Sequence, residues 1–539
     1  MSKRRTFRFV IIGAGSAGCQ LAQLLAAGQS EPLAVIEAGG PAAASDVRSV
    51  VPNFYPRAFG SKLDWNFATV PQAALGGRRL AWPRGKMLGG SGAINALIWM
   101  QPAAADLDSW QWWRPHQPSQ VRSSQNTERI PASEDSCPAI NAVATPHPWT
   151  SAFLQAATNQ GLTLREPWLQ AHNNTCGLYQ LTQRRGRRCH GGLALQQASN
   201  NPKLSNLSVI TQAHVVRLIL SDGKALGVEL ENAQGARESI YASDQVILCA
   251  GAVGSPTLLM QSGIGDPQEL MSLGIPCLHN LPWVGKNLQD HLVCPLVFST
   301  HDARGLARSH SPEMRELYRQ SGTGELASNI AEGGALFSTE LAPPGADPST
   351  QPGLHAAPDY QLHFTPTHYL KYPHQETANN FCSLGVTDLH PKSRGQIKLE
   401  WNSGGWQPSI DPGYLGDPLD SQRLLNALHW TRELAANSGL REVISHEVMP
   451  GIKRTDARSL LKWMRTFVQS IYHPVGTCRM DCGTNIGAER SVVARDFRVH
   501  GLAGLRVVDA SILPSLPSCN TNAATLELAA RGAREILGA

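Results

Sequence analysis

At 539 residues the chain is too long for one ordinary hydrophobic core, so two domains, or one large domain with an elaborated insert, are expected. Its 42% apolar and 17% charged residues describe a folded soluble protein, and a net charge of +5 without a long Lys/Arg tract argues against nucleic-acid binding. The densest basic cluster, Arg184-Arg185-Gly186-Arg187-Arg188, reads as a solvated turn, or as charge facing a cofactor phosphate, in preference to a polyanion site. The 11 cysteines are odd in number and irregularly spaced, which disfavours a disulfide scaffold and makes a reducing compartment the expectation. Cys478 and Cys482 lack a second pair or clustered histidines, so no metal site is expected. The basic start leads into a short apolar run and then glycines, a buried strand and not an export signal; no stretch is apolar enough to span a bilayer. A cytoplasmic protein is expected.

In chain order, Phe9–Ile12 is a continuous apolar run suited to a strand covered on both faces. Gly13-Ala14-Gly15-Ser16-Ala17-Gly18 follows, then a helix over Cys19–Ala27, then a second strand, Leu33–Ile36, closed by Glu37. This is a β-α-β unit carrying G-x-G-x-x-G. Gly13 permits the tight turn, Gly15 lets the backbone approach a pyrophosphate, and Gly18 allows close helix packing. Ser16 opens the helix, whose free N–H groups and positive dipole end suit phosphate. Glu37 is placed to accept hydrogen bonds from an adenosine ribose. The motif predicts a dinucleotide and does not by itself separate NAD from FAD.

Further along, Val51 to Trp82 reads as an extended loop, and Gln111 to Pro148 as an irregular polar excursion. Leu207–Ile210, Val215–Leu220 and Ala225–Leu230 suggest a small meander ahead of the strand Gln245–Cys249. His301 to Pro358 is loop-rich, and Asp420–Asn437 and Ala523–Ile536 are helix candidates.

Four later segments resemble signatures of the glucose–methanol–choline (GMC) oxidoreductase family, and the nucleotide motif makes a fifth. They are Arg84 to Asn95, with its run Gly89-Gly90-Ser91-Gly92; Ala250 to Gly265; Val284 to His291; and Tyr472 to Thr477 with Val508-Asp509-Ala510-Ser511 and Asn520-Thr521-Asn522. They occur in the family's order from end to end. The resemblance implies FAD and an α/β fold: a glutathione-reductase-type, Rossmann-like FAD-binding domain with a second, substrate domain built on an antiparallel sheet with helices. The expected partition is 1–150, 186–295 and 468–539 for FAD, and 151–185 and 296–467 for substrate. Gly90, Ser91, Asn95, Asp509 and Ala510 are the implied cofactor contacts, with Val215 at the adenine. Low side-chain bulk at Gly89–Gly92 suits backbone lying against a flat ring or a diphosphate. Some relatives bond the flavin through a His just before the Asn of the first signature. Here that position is Ile94, so non-covalent FAD is expected.

Hydride transfer from an alcohol carbon to flavin N5 needs a base for the hydroxyl proton and a group that fixes the oxygen. The resemblance assigns His473 as base, its neutral imidazole being available near pH 7, and Asn520 as the orienting donor. A structural role is expected for His291. Glu332 matches an acid that contacts the trimethylammonium group in choline-oxidising relatives and is a candidate substrate contact. Trp99-Met100-Gln101-Pro102 and the segment after Trp110 depart from the family pattern, which leaves the substrate open among aromatic, aliphatic and amino alcohols. The electron acceptor (oxygen, quinone or another carrier) is also open. A hydroxynitrile-lyase-like enzyme and a non-catalytic flavoprotein of the same fold are the alternatives.

Overall fold

The computed structural model describes residues 5–41, 46–110, 139–197, 201–306, 311–339, 357–370, 380–483 and 488–538. Most of the expected excursion after Trp110 therefore lies outside the described residues.

The strand Arg5–Ile12 ends in four buried apolar residues, as a strand covered on both faces must. It is the centre of a parallel group ordered Leu207–Ile210, Leu33–Ile36, Arg5–Ile12, Arg237–Leu248, with Leu505–Val507 beside the end of the last. Ile12 is in register with Ile36 and with Leu248, so these strands finish level. The helices Ser16–Gly28 and Thr521–Leu537 pack against each other, the second meeting Gly28 through Leu537.

One expectation is corrected. Leu207–Ile210 does not belong to the meander but runs parallel to Leu33–Ile36 at the sheet edge. The chain then crosses the end of Leu33–Ile36, with Gln212 N–H donating to Gly39 O (2.8 Å) and Ala213 N–H to Glu37 O (3.0 Å). Only afterwards does it enter the antiparallel strands His214–Ser221, Lys224–Glu231 and Arg237–Leu248. The last is 12 residues long: its start closes the meander, and its apolar end, the expected strand, joins the parallel core.

The second sheet orders Ile444–Met449, Leu292–Thr300, Phe381–Asp388, Tyr360–Thr365, Gly333–Phe337 and Thr175–Leu178, each antiparallel to its neighbour. Helices Pro148–Asn159 and Pro418–Ala435 pack on it. Side chains alternate along a strand, and Tyr360–Thr365 uses that alternation fully. Phe364 stacks on Phe153 of the first helix, with centroids 5.1 Å apart. Gln361, His363 and Thr365 therefore project from the opposite face, towards the parallel sheet. Pro312–Ser321 is a helix where only loop was expected. Its Ser311 cap, its Pro312 start and the spacing of Met314, Leu317 and Tyr318 are helix signals, although none of its residues is fully buried. Among the described residues no helix is long and apolar enough to cross a membrane.

A Cβ at Gly18 would run into the carbonyl of Gly13. Gly18→Ala is therefore expected to cost about 1–3 kcal/mol through forced separation of helix and turn, read as a lower urea midpoint at unchanged m.

Candidate functional site

The level ends of the parallel strands dictate where a ligand can sit: in the crevice outside their carboxyl termini. The residues that follow these strands, Gly13, Glu37, Cys249 with Ala250, and Asp509, all line one pocket of about 390 Å³. Of the residues expected to contact cofactor, Gly13, Gly15, Ser16, Glu37, Gly90, Ser91, Asn95, Val215, Asp509 and Ala510 line it. Gly18 does not, which agrees with its packing role.

The cradle is built from backbone. A Cβ at Gly90 would lie 2.7 Å from Gly15 Cα, so the loop Gly89–Gly92 and the first glycine turn pass in direct contact. The helices Ser16–Gly28 and Thr521–Leu537 begin beside each other there, joined by Ser16 Oγ donating to Asn522 Oδ1 (2.8 Å). Glu37 accepts from Ala14 N–H (3.0 Å) and Gly39 N–H (2.8 Å), and burial pushes its carboxyl up to about 7. Asp509 accepts from Gly251 N–H (2.9 Å), Ser255 Oγ (2.5 Å) and Ser511 N–H (2.8 Å), which ties its own turn to the start of the helix Gly251–Gln261. Within the basic cluster, Arg185 and Gly186 form a left-handed turn. Arg188, buried, braces the loop instead of meeting solvent: it donates to Asn95 Oδ1 (2.6 Å), Asn95 O (2.5 Å) and Gly92 O (3.3 Å).

At the other end of the pocket, His473 and Asn520 face each other, with Asn520 Nδ2 3.2 Å from His473 Nε2. Asn520 is the N-cap of helix Thr521–Leu537, where an Asn side chain ordinarily accepts a backbone N–H of the first turn. Here it makes no capping bond. Its Oδ1 instead accepts from Gln361 Nε2 (3.1 Å), which leaves the amide N–H groups facing His473.

The protons on the histidines follow from their partners. His291 Nε2 lies 3.1 Å from Leu389 O, and a carbonyl only accepts, so Nε2 carries the hydrogen. Burial holds the His291 pKa down at about 3, so its Nδ1 is a bare acceptor. His473 Nδ1, 3.0 Å away, must donate to it. His473 Nε2 is thereby left as an unprotonated lone pair towards the pocket. Burial first, and then the proximity of other groups that would be cationic, His291, His363 and Arg84, keep the His473 pKa well below the ordinary histidine value.

His473 is also held through its backbone. The peptide between Tyr472 and His473 is gripped at both ends: Arg84 donates to Tyr472 O (2.6 Å), and His473 N–H donates to Asp290 Oδ1 (2.7 Å). Asp290 Oδ2 accepts from Ser470 Oγ (2.5 Å) and from the Tyr414 hydroxyl. Tyr472, at φ +67°, has the left-handed backbone that a bulky residue avoids, and Ser470 Oγ accepts its N–H (2.8 Å).

Glu332 is corrected. It is buried and does not line the pocket; its carboxylate accepts from His147 N–H (2.7 Å) and Thr150 Oγ1 (2.8 Å), fastening the strand Gly333–Phe337 to the start of helix Pro148–Asn159. Conversely, Gln361, His363, Arg84 and Arg188 have roles here that sequence reading missed. For Gln361 and His363 a signal existed: polar residues at every second position of Tyr360-Gln361-Leu362-His363-Phe364-Thr365, an otherwise apolar run. Cys189, within the region of the basic cluster, is disulfide-bonded, so the cysteines are not uniformly free as expected.

Comparison with known proteins agrees with this geometry. GMC oxidoreductase profiles match residues 7–293 and 391–529. An alcohol dehydrogenase [acceptor] from Pseudomonas putida is 34% identical over 98% of this chain and 96% of its own length. A mitochondrial choline dehydrogenase from Homo sapiens is 32% identical over 99% and 90%. Among solved structures, pyridoxine 4-oxidase from Mesorbium loti superposes with a TM-score of 0.81 at 27% identity over 98% of both chains. Formate oxidase, at 24% identity and TM-score 0.84 over 99% of both chains, shares the fold. The glycine cradle, two helix starts and a carboxylate at the second strand's end fit the diphosphate and ribose of FAD. The chain belongs to the GMC oxidoreductase family and is an FAD-dependent oxidoreductase.

Proposed function

We propose that this enzyme oxidises a small primary alcohol to the aldehyde, with His473 removing the hydroxyl proton and Asn520 holding the oxygen. The observation that carries this reading is the bare Nε2 of His473, fixed by the chain Leu389–His291–His473 and set beside the Asn520 amide. Asn520 Nδ2 donates to that lone pair. An alcohol takes over both bonds, its O–H donating to His473 Nε2 and its oxygen accepting from Asn520. Bound FAD supplies the acceptor for the two electrons that leave the alcohol carbon. The relative named an alcohol dehydrogenase supports the same chemistry.

Ile94, at the pocket wall, offers no nucleophile, which supports non-covalent FAD. The polar row Gln361, His363, Thr365 supports assigning 151–185 and 296–467 to substrate, and 1–150, 186–295 and 468–539 to the cofactor. His291 and Asp290 act through His473 as positioning residues.

The test is anaerobic mixing of the FAD-bound enzyme with primary alcohols, read as bleaching of the flavin band near ~450 nm. His473→Ala is expected to lower the reduction rate by roughly 10² to 10⁴; an unchanged rate would remove it as base. The low pKa sets a second expectation. A base with an ordinary histidine pKa of about 6.5 loses half its active form there, whereas His473 stays neutral to lower pH. The reduction rate should therefore not fall as pH descends through 6.5, and an acid limb centred at or above that value would contradict the His291–His473 arrangement.

A further inference from the structure

We propose that the alcohol oxidised here is uncharged and has an apolar body, and that quaternary ammonium alcohols are excluded by the pocket. This rests on the alcohol-oxidising reading of the His473 site and narrows it to a substrate class.

The wall around His473 is apolar and aromatic. Ile98 and Val293 line it, with Tyr55, Phe59, Tyr369 and Tyr472. The Phe59 ring stands edge-on to Tyr472 at 5.4 Å and to Tyr55 at 6.0 Å, so three of these rings form one continuous cluster. Among the described residues the polar additions at this end are His363 and Thr365 from the second sheet. The His363 imidazole takes no hydrogen bond from a side chain among the described residues, and burial holds its pKa at about 4, so it enters as a neutral group.

Among the described residues the charged side chain that lines this end of the pocket is itself a cation. Arg84 lines the pocket and reaches Tyr472 O. The acids that balance it, Asp290 and Asp64, do not line the pocket, and their oxygens are spent. Asp290 holds Tyr414, Ser470 and His473 N–H. Asp64 accepts from the N–H groups of Gly60 (2.9 Å), Asn66 (3.1 Å) and Arg84 (2.8 Å). Among the described lining residues the carboxylates are Glu37 and Asp509, both committed to backbone at the cradle end. Glu332, the acid expected to meet a trimethylammonium group, is bonded to His147 and Thr150.

A trimethylammonium group entering here would give up its hydration and meet a guanidinium, with ring faces as its compensation. Aromatic faces do attract cations, but this wall sets its rings beside Arg84, and among the described residues no lining carboxylate at this end shares the charge. A neutral body loses nothing of this kind and gains the apolar wall. The two relatives described above, an alcohol dehydrogenase and a choline dehydrogenase, are almost equally similar in sequence; local charge separates the two substrate types where overall identity does not.

The decisive pair of compounds is choline and 3,3-dimethyl-1-butanol, which has the same shape with carbon in place of nitrogen. Both are mixed anaerobically with the FAD-bound enzyme, with benzyl alcohol alongside, and kred/Kd is measured from flavin bleaching. The neutral isostere is expected to exceed choline by roughly 100-fold. Choline reacting equally well or better would overturn the inference while leaving alcohol oxidation intact. If none of the three bleaches the flavin, the alcohol-oxidising reading fails, and binding decides the inference through perturbation of the flavin spectrum by the same pair. Tighter binding of the neutral compound then sustains it, and tighter binding of choline, or binding of neither, overturns it.

Discussion

The Tyr472–His473 peptide has one charged group on its carbonyl, Arg84, and another on its amide, Asp290. Neither charge touches the imidazole, yet both decide where it points. Tyr472 is held at φ +67°, a conformation that costs a bulky residue about 1–3 kcal/mol and persists only where its surroundings over-determine it. Asp290 is well suited to that work because it joins two distant segments: Tyr414 from beyond the hairpin 395–411, and the stretch from Ser470, paired beside Leu292, to His473 itself. A neutral amide at this position could keep most of the hydrogen bonds, since both hydroxyls can reverse direction. It would leave the buried Arg84 charge with Asp64 as its remaining balancing acid, and that loss is the expensive one.

The rest of the site is arranged around the fixed imidazole from two directions. The parallel sheet brings its strand ends level, so the nucleotide cradle and His473 share one pocket. The antiparallel sheet contributes a row of polar side chains on the face turned towards it. Asn520 is where the two meet. It begins the helix whose next residues, Thr521 and Asn522, border the cradle, and its side chain is fixed by Gln361 of the other sheet. Giving up the helix cap costs about 1 kcal/mol, and the compensation is a donor held in place beside the base. One short stretch of chain thereby links cofactor binding to the position of the substrate oxygen.

Much of this was legible in the sequence because it depends on local pattern. The strand–glycine–helix–strand–acid order of residues 9–37 determines its own geometry, and the level strand ends follow from it. His473 and Asn520 were recognisable through the motifs around them. The partner strand of Leu207–Ile210 was not, since three half-buried apolar residues and a serine suit a meander and a parallel edge equally well. Helix Pro312–Ser321 was overlooked because its apolar stripe is short, Met314, Leu317 and Tyr318, and only partly buried. Glu332 failed as a substrate contact for a different reason: an acid in an apolar neighbourhood is equally suited to a pocket wall and to an internal clasp, and only the positions of His147 N–H and Thr150 decide which it is. Gln361 and His363 carried a signal in their alternation, but its meaning required knowing which face of the strand meets the cofactor.

The histidine arrangement also explains a compromise in the chemistry. Burial and neighbouring positive charge keep His473 unprotonated, which makes it available over a wide pH range but also makes it a weak proton acceptor. A strongly basic imidazole would need a carboxylate on its Nδ1, as in hydrolase triads. Here Nδ1 meets a neutral histidine whose own far nitrogen is committed to a backbone carbonyl. On the reading proposed above, so weak a base does not remove the hydroxyl proton far ahead of the other bond changes. Proton and hydride then leave the alcohol in close succession, with the fixed lone pair serving chiefly to hold the O–H in line.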